Sequence, residues 1–187
     1  MIRKLYHGSD KYFEIPDLTK ARNFKDFGRG FYLTTNAAQA GKWAIRKISN
    51  SDRTQVAYLY EYVFQCDNLE DLKILELLEC NKEWLECISC YRTVLEETIE
   101  YDLIYDRIAD GYFKELTGIL REYRSGKRSL EETLAVVNWK HSDGDQYCFK
   151  TSRALQKIAR KRYAEVYNSN GIPRILKWYN GEVKAHG

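Results

Sequence analysis

Hydrophobic and polar positions alternate most clearly over residues 55–65, where Val56, Tyr58, Tyr60, Tyr62 and Phe64 occupy every second position. A period of two over that length predicts a half-buried β-strand. Shorter runs predict strands at residues 2–7 and 30–35. Over residues 37–48 the period changes: Ala37, Ala40, Trp43, Ala44 and Ile48 recur at helical spacing, and Asn36 can accept hydrogen bonds from the first turn. Residues 69–78 and 83–98 predict two helices. Leu103, Ile104, Ile108 and Ala109 suggest a strand bordered by Asp102, Asp106 and Asp110. Residues 113–123 and 129–137 are again helical, the second opened by Ser129-Leu130-Glu131-Glu132 with capping-box spacing. A late strand is expected over 146–151 and a basic helix over 152–167. Residues 9–26, with Pro16 and Asp17, read as loop. The mixture implies an α+β fold. No repeat, linker or low-complexity segment divides the chain, so it reads as a single domain over residues 1–187 with a helical insertion at about 66–140.

Composition narrows the class. The 187 residues suffice for one buried core, and 44% hydrophobic with 30% charged residues is ordinary for a globular protein. Aromatic residues are plentiful, with 15 Tyr, 7 Phe and 4 Trp. A formal net charge of +3 does not by itself announce nucleic-acid binding. No apolar run approaches a membrane span, and no apolar signal segment follows Met1-Ile2-Arg3-Lys4. These features predict a cytoplasmic protein with no membrane partner. Five cysteines fit a reducing compartment better than a disulfide framework. Cys80, Cys87 and Cys90 cluster and contain a Cys-x-x-Cys. No fourth ligand stands at metal spacing, so the expectation is small buried hydrophobes on a helix and no metal.

Candidate chemistry centres on Phe27-Gly28-Arg29-Gly30-Phe31-Tyr32-Leu33, preceded by Tyr6-His7-Gly8-Ser9 and followed by Trp43. Two glycines one residue apart, leading into alternating residues, predict a tight turn feeding a strand. A strand, turn and helix in that order would set Tyr32 and Trp43 about a slot, with glycines allowing close approach to backbone. Such a slot suits a flat, polar ring.

These residues resemble the ADP-ribosyltransferase superfamily in its diphtheria-toxin and poly(ADP-ribose)-polymerase-like branch, and most closely its short bacterial members. That branch carries a His-Gly pair on its first core strand, a motif of the form Phe-Gly-Lys-Gly-Ile-Tyr-Phe on its second, a downstream aromatic, and an acid on a late strand. The resemblance spans about 1–65 and 140–162. It implies a split mixed β-sheet core and NAD as substrate, with no metal. It also implies transfer of ADP-ribose to a macromolecular acceptor, protein or nucleic acid, by a toxin or defence effector that a cognate antitoxin or immunity protein could neutralise. In residue terms, His7 would hold the adenosine-side ribose and Gly8 the nicotinamide amide, with Ser9 and Gly30 beside them. Tyr32 and Trp43 would clamp the nicotinamide ring. A small hydroxyl residue usually faces the amide; here that position is Ala40.

Gln146 stands where the branch places its catalytic glutamate, and so completes the catalytic set with His7 and Tyr32. An amide keeps a hydrogen bond to the ribose hydroxyl but loses the full negative charge, the larger catalytic contribution. Asp145, next along the strand, should face the other way, and Asp143 is close in sequence. Gly144 replaces the second glutamate of arginine-modifying members, which argues against arginine as acceptor. Arg22, Lys25 and Arg29 surround the glycine turn, either as a solvated loop or, for Arg22 and Arg29, as partners of the NAD pyrophosphate. The basic stretch Arg153, Lys157, Arg160, Lys161, Arg162, Arg174 and Lys177, with Tyr163, Trp178 and Tyr179, is either a solvated helix face or a nucleic-acid contact. A non-catalytic NAD- or ADP-ribose-binding module and a nucleic-acid-binding protein are the alternative functions.

Overall fold

Eight strands and five α-helices appear in a computed structural model that describes residues 1–48, 55–94, 99–107, 115–138 and 144–184. The chain divides into two compact units. The first comprises Met1–Pro16, Tyr32–Leu72 and Ser152–Gly187; the second comprises Asp17–Phe31 and Lys73–Thr151.

The first unit is built on an antiparallel sheet of order β1-β3-β7-β8, from β1 (Ile2–Ser9), β3 (Ala57–Gln65), β7 (Ile158–Ser169) and β8 (Ile172–Lys184). Register places His7 beside Tyr60, Tyr60 beside Tyr163, and Tyr163 beside Tyr179, one tyrosine-rich row across four strands. Because side chains alternate along a strand, Tyr6, Gly8 and Leu59 face the opposite side. There α1 (Ala37–Ile45) packs through Ala40, Ala44 and Ile45 onto Ala57, Leu59, Ala164 and Val166. Asn36 Oδ1 accepts from the Ala38 and Gln39 amides and caps this helix. Gly8 permits the contact: a Cβ there would collide with the Ala40 carbonyl and lie 2.7 Å from Ala44 N.

The other sheet has order β2-β6-β5-β4, from β2 (Phe31–Leu33), β6 (Gln146–Phe149), β5 (Leu103–Asp106) and β4 (Ile74–Leu77). It is mixed: β4 runs parallel to β5, and β5 antiparallel to β6. Buried Asp102 ties its three later strands, accepting from the Lys73 amide at 2.9 Å and the Thr151 hydroxyl at 2.6 Å. The second unit also holds α2 (Lys82–Thr93), α3 (Leu116–Arg124) and α4 (Leu130–Asn138). The capping box forms at α4, with the Ser129 amide donating to Glu132 Oε2 at 2.8 Å and the Glu132 amide to Ser129 Oγ at 3.1 Å.

The α+β class stands. Four local expectations do not. Residues 69–78 were expected as helix, yet 74–77 form β4. Leu, Glu and Lys favour helix locally, but pairing of Ile74 with Leu103 and Leu77 with Asp106 overrides that preference. The 66–140 segment is accordingly not a purely helical insertion, since β4 and β5 lie within it. The basic helix expected over 152–167 is only α5 (Ser152–Leu155), followed by β7. There Ile158, Arg160, Ala164, Val166 and Asn168 are buried on an alternating pattern broken by bulges. The first helix ends at Ile45 rather than 48. Expectations for residues 95–98, 108–114 and 139–143, Asp143 included, lie outside the described residues. Among the described residues, no helix is long and apolar enough to cross a membrane.

Candidate functional site

His7 lies near the end of β1, where the chain meets β2. Tyr6 and Thr34 form a reciprocal bridge, with the Tyr6 amide donating to Thr34 O at 2.7 Å and the Thr34 amide returning to Tyr6 O at 3.0 Å. This contact brings the His7 ring to β2, and Nδ1 donates to the Tyr32 carbonyl at 2.7 Å. The ring meets Phe13 edge-on at 5.6 Å and Tyr60 at 6.2 Å. Phe13 in turn stacks on Tyr60 at 4.3 Å and donates its amide to the Tyr60 hydroxyl at 2.8 Å. Burial among these rings drives the His7 pKa down to about 4, with the Tyr32 carbonyl opposing only in part. The imidazole is therefore neutral at physiological pH, and the tautomer that donates from Nδ1 carries its lone pair on Nε2.

The structure thus joins His7 to Tyr32 through backbone. Tyr32 itself is half-buried, and Trp43 is half-buried on α1. Since α1 covers the Gly8 face of β1, the Gly8 Cβ position is filled by helix backbone rather than left open to a ligand. Ala40, expected to face a bound amide, is fully buried in that same helix contact. Ser9 closes the strand: its Oγ donates to Lys11 O at 2.8 Å and accepts from the Lys11 amide at 3.1 Å.

The second unit contains the glycine turn and Gln146. Gly28 adopts φ 64°, a left-handed conformation that favours glycine. Gly30 leaves no room for a side chain, since a Cβ would strike Cys148 Sγ and sit 3.2 Å from Phe149 O. Buried Lys150 holds the turn from below, donating Nζ to Phe27 O at 2.5 Å and to Arg29 O at 3.2 Å, with the ammonium 4.3 Å from the Tyr91 ring centre. Arg29 is exposed and donates to Thr19 O at 3.1 Å. Arg22 and Lys25 are exposed.

Gln146 is 3% exposed, and its amide nitrogen bridges two carboxylates: Asp26 Oδ2 at 3.1 Å and Asp106 Oδ2 at 3.2 Å. Asp26 is paired with Arg92, whose Nε donates at 2.6 Å while its Nη2 makes a second bond to the same oxygen. Arg92 Nη1 reaches Thr117 at 3.2 Å. An amide suits this position because it donates two hydrogen bonds where a carboxylate donates none. Asp26, Asp106, Arg92 and Lys150 were not anticipated. Their sequence contexts carry no motif, and their roles arise from distant residues, 120 positions apart for Asp26 and Gln146.

The cysteines correct an expectation. Cys80 and Cys87 are half-buried and Cys90 exposed, while Cys148 is the buried thiol. Burial, reinforced by the Asp106 charge, pushes Cys80 up to about 11 and Cys87 up to about 12. Both stay protonated and unreactive at neutral pH. Among the described residues, no group of three or more His, Cys, Asp or Glu could hold a metal.

The family described as Protein of unknown function (DUF3990) matches residues 3–159, and the chain belongs to it. No curated protein and no solved structure matches the chain.

Proposed function

From the sequence motifs and the geometry around His7, we propose that this chain is an NAD-dependent ADP-ribosyltransferase of the diphtheria-toxin and poly(ADP-ribose)-polymerase-like kind. It would act on a protein or nucleic-acid acceptor, in a bacterial toxin or defence role with a neutralising partner. The observation that carries the reading is the Nδ1–H bond from His7 to the Tyr32 carbonyl. It couples the His-Gly strand to the aromatic of the glycine motif, and it orients a neutral ring whose Nε2 can accept from a ribose hydroxyl. In the proposed reaction the bond between ribose C1′ and the nicotinamide nitrogen breaks. Nicotinamide leaves with the electron pair, an acceptor nucleophile bonds to C1′, and the acceptor releases a proton. Tyr32 and Trp43 would stack the departing ring. Gln146 would position the ribose hydroxyl through Oε1, and its contacts with Asp26 and Asp106 supply negative charge one amide away from that oxygen.

A second reading has its own support. An amide nitrogen held between two carboxylates has a structural role that requires no reaction. That favours a non-catalytic module binding NAD or ADP-ribose. Incubation with NAD labelled in the adenylate half, plus cell lysate, separates the two: label should enter protein, RNA or DNA with release of free nicotinamide. His7→Ala and Gln146→Ala should each reduce release by about tenfold or more, Gln146→Ala with little change in NAD affinity. Saturable NAD binding without nicotinamide release would leave the binding module standing.

A further inference from the structure

The hairpin that replaces the expected basic helix gathers aromatic rings and positive charge on one face. Tyr163 and Tyr179 stack at 4.8 Å with planes 11° apart. Tyr12, from the loop after β1, packs against Tyr163 at 5.1 Å and Tyr58 at 5.5 Å, and Tyr58 continues the ladder to Tyr60. Tyr12 is 48% exposed, so the ladder ends at solvent. Lys177 sets its ammonium 4.8 Å from the Tyr179 ring centre, and Glu165, its neighbour across the register, engages the Tyr179 hydroxyl.

Beneath Tyr163 lies a second, independent feature. Arg160 is 5% exposed, with its guanidinium 5.4 Å from the Tyr163 ring centre. Nη1 donates to Phe13 O at 3.2 Å and Glu14 O at 3.0 Å, while Nε finds no hydrogen-bond partner among the described residues. Two carbonyls and a ring, its partners among the described residues, do not neutralise the cation, a costly arrangement for a buried group. The sequence distribution agrees. Residues 158–184 carry six Lys and Arg against two Glu, so the hairpin holds the whole of the chain's +3 excess and the remainder is slightly acidic.

A tyrosine ladder that reaches solvent at Tyr12, on a hairpin of net positive charge, matches a ligand with unpaired planar bases on an anionic backbone. We infer that this face of the β1-β3-β7-β8 sheet binds single-stranded nucleic acid, with bases on Tyr12 and Tyr179 and phosphates drawn to Lys177 and the Arg160 field. Duplex lacks the free base faces. In naming nucleic acid as the acceptor, the inference rests on the transferase reading; the binding itself does not.

The test uses the full chain without NAD. Fluorescence anisotropy compares a labelled short single-stranded RNA, its DNA counterpart and a duplex of the same sequence, at about 50 and about 200 mM salt. Single strands should bind about tenfold or more tighter than duplex. Tyr12→Ala and Tyr179→Ala should each weaken them by about tenfold. Lys177→Gln should lower the salt dependence by about one unit of slope. Polyphosphate of equal charge should compete poorly. Absence of binding at low salt, equal binding of duplex, full competition by polyphosphate, or parent-like binding by both tyrosine variants would overturn the inference. Nicotinamide release from NAD by the same variants keeps the two ideas apart. If release persists while oligonucleotide binding is lost, the platform is supported; if binding persists in a chain that never releases nicotinamide, only the transferase reading falls.

Discussion

Around His7 the first unit surrounds a titratable ring with Phe13 and Tyr60 and one backbone carbonyl, whereas around Gln146 the second unit surrounds an untitratable amide with two carboxylates and an arginine. Aromatic burial disfavours the charged imidazolium, so the first site is held neutral by its surroundings. In the second, the charges are already present and the neutral residue keeps two carboxylates apart while satisfying both. The contrast shows that Gln146 cannot be judged as a glutamate that lost its charge. Its partners, contributed by the glycine turn and β5, make the amide the matching group. Substitutions at the two sites should therefore both shift the response to pH, but for different reasons.

The largest effect is expected where the first site has no tolerance. Gly8→Ala drives a Cβ into the backbone of α1, which cannot yield as a flexible side chain would, and should remove about 3 kcal/mol or more of stability. Urea unfolding checks this, and a loss below about 1 kcal/mol would mean that α1 does not rest on β1 as described.

Next comes the titration of His7. The unfolded ring takes up a proton near pH 6.5 and the folded ring only near 4. Between those values the unfolded state binds more protons, so stability is full above about 6.5 and declines as pH falls toward 4, by up to about 3 kcal/mol. His7→Asn should flatten that part of the stability profile. A profile unchanged by the substitution would refute the aromatic-burial account.

Gln146→Glu tests the other half of the comparison. A third carboxylate facing Asp26 and Asp106 should cost about 2 kcal/mol at neutral pH. Crowding raises the pKa of the new acid in the folded state, so its penalty should shrink as pH falls through that pKa, where the protonated acid can donate again. Below pH 6 this variant should thus gain on the parent, while His7→Asn also gains on it for a different reason, loss of a group that resists protonation. Thermal unfolding across pH separates the two. The effect on NAD cleavage is informative only after that correction, since lower turnover in Gln146→Glu can come from a disturbed network.

Trp43→Ala should give the smallest change, about 1 kcal/mol in NAD affinity through lost stacking. Titration calorimetry beside a melting curve reads it. Loss of melting temperature with unchanged affinity would assign Trp43 to packing of α1 alone.

Several features were legible because they are local. The alternation through Tyr58, Tyr60 and Tyr62 declared β3, and Asn36 and Ser129 declared the starts of α1 and α4. One local signal was present and not used. Asn170 and Gly171, with φ 53° and 81°, form the turn of the β7–β8 hairpin, and an Asn-Gly pair between hydrophobic runs is a strong hairpin marker. Residues 152–167 were expected as a basic helix instead. At residues 74–77 nothing local reveals the strand, because its partner β5 lies about 29 positions later and pairs in parallel.

The sequence by itself determined which residues could carry the chemistry: His7, the glycine turn, Tyr32, Trp43 and Gln146 are identifiable from residue type and order, since backbone freedom, ring and amide are properties of single residues. Tertiary structure alone decided what each touches. His7 is neutral because Phe13 and Tyr60 come from elsewhere to bury it, and Gly8 is required because α1 lies on it. Gln146 fits as an amide because Asp26 and Asp106 meet there. Charge state and steric need are properties of surroundings, and those surroundings are assembled from segments tens of residues apart.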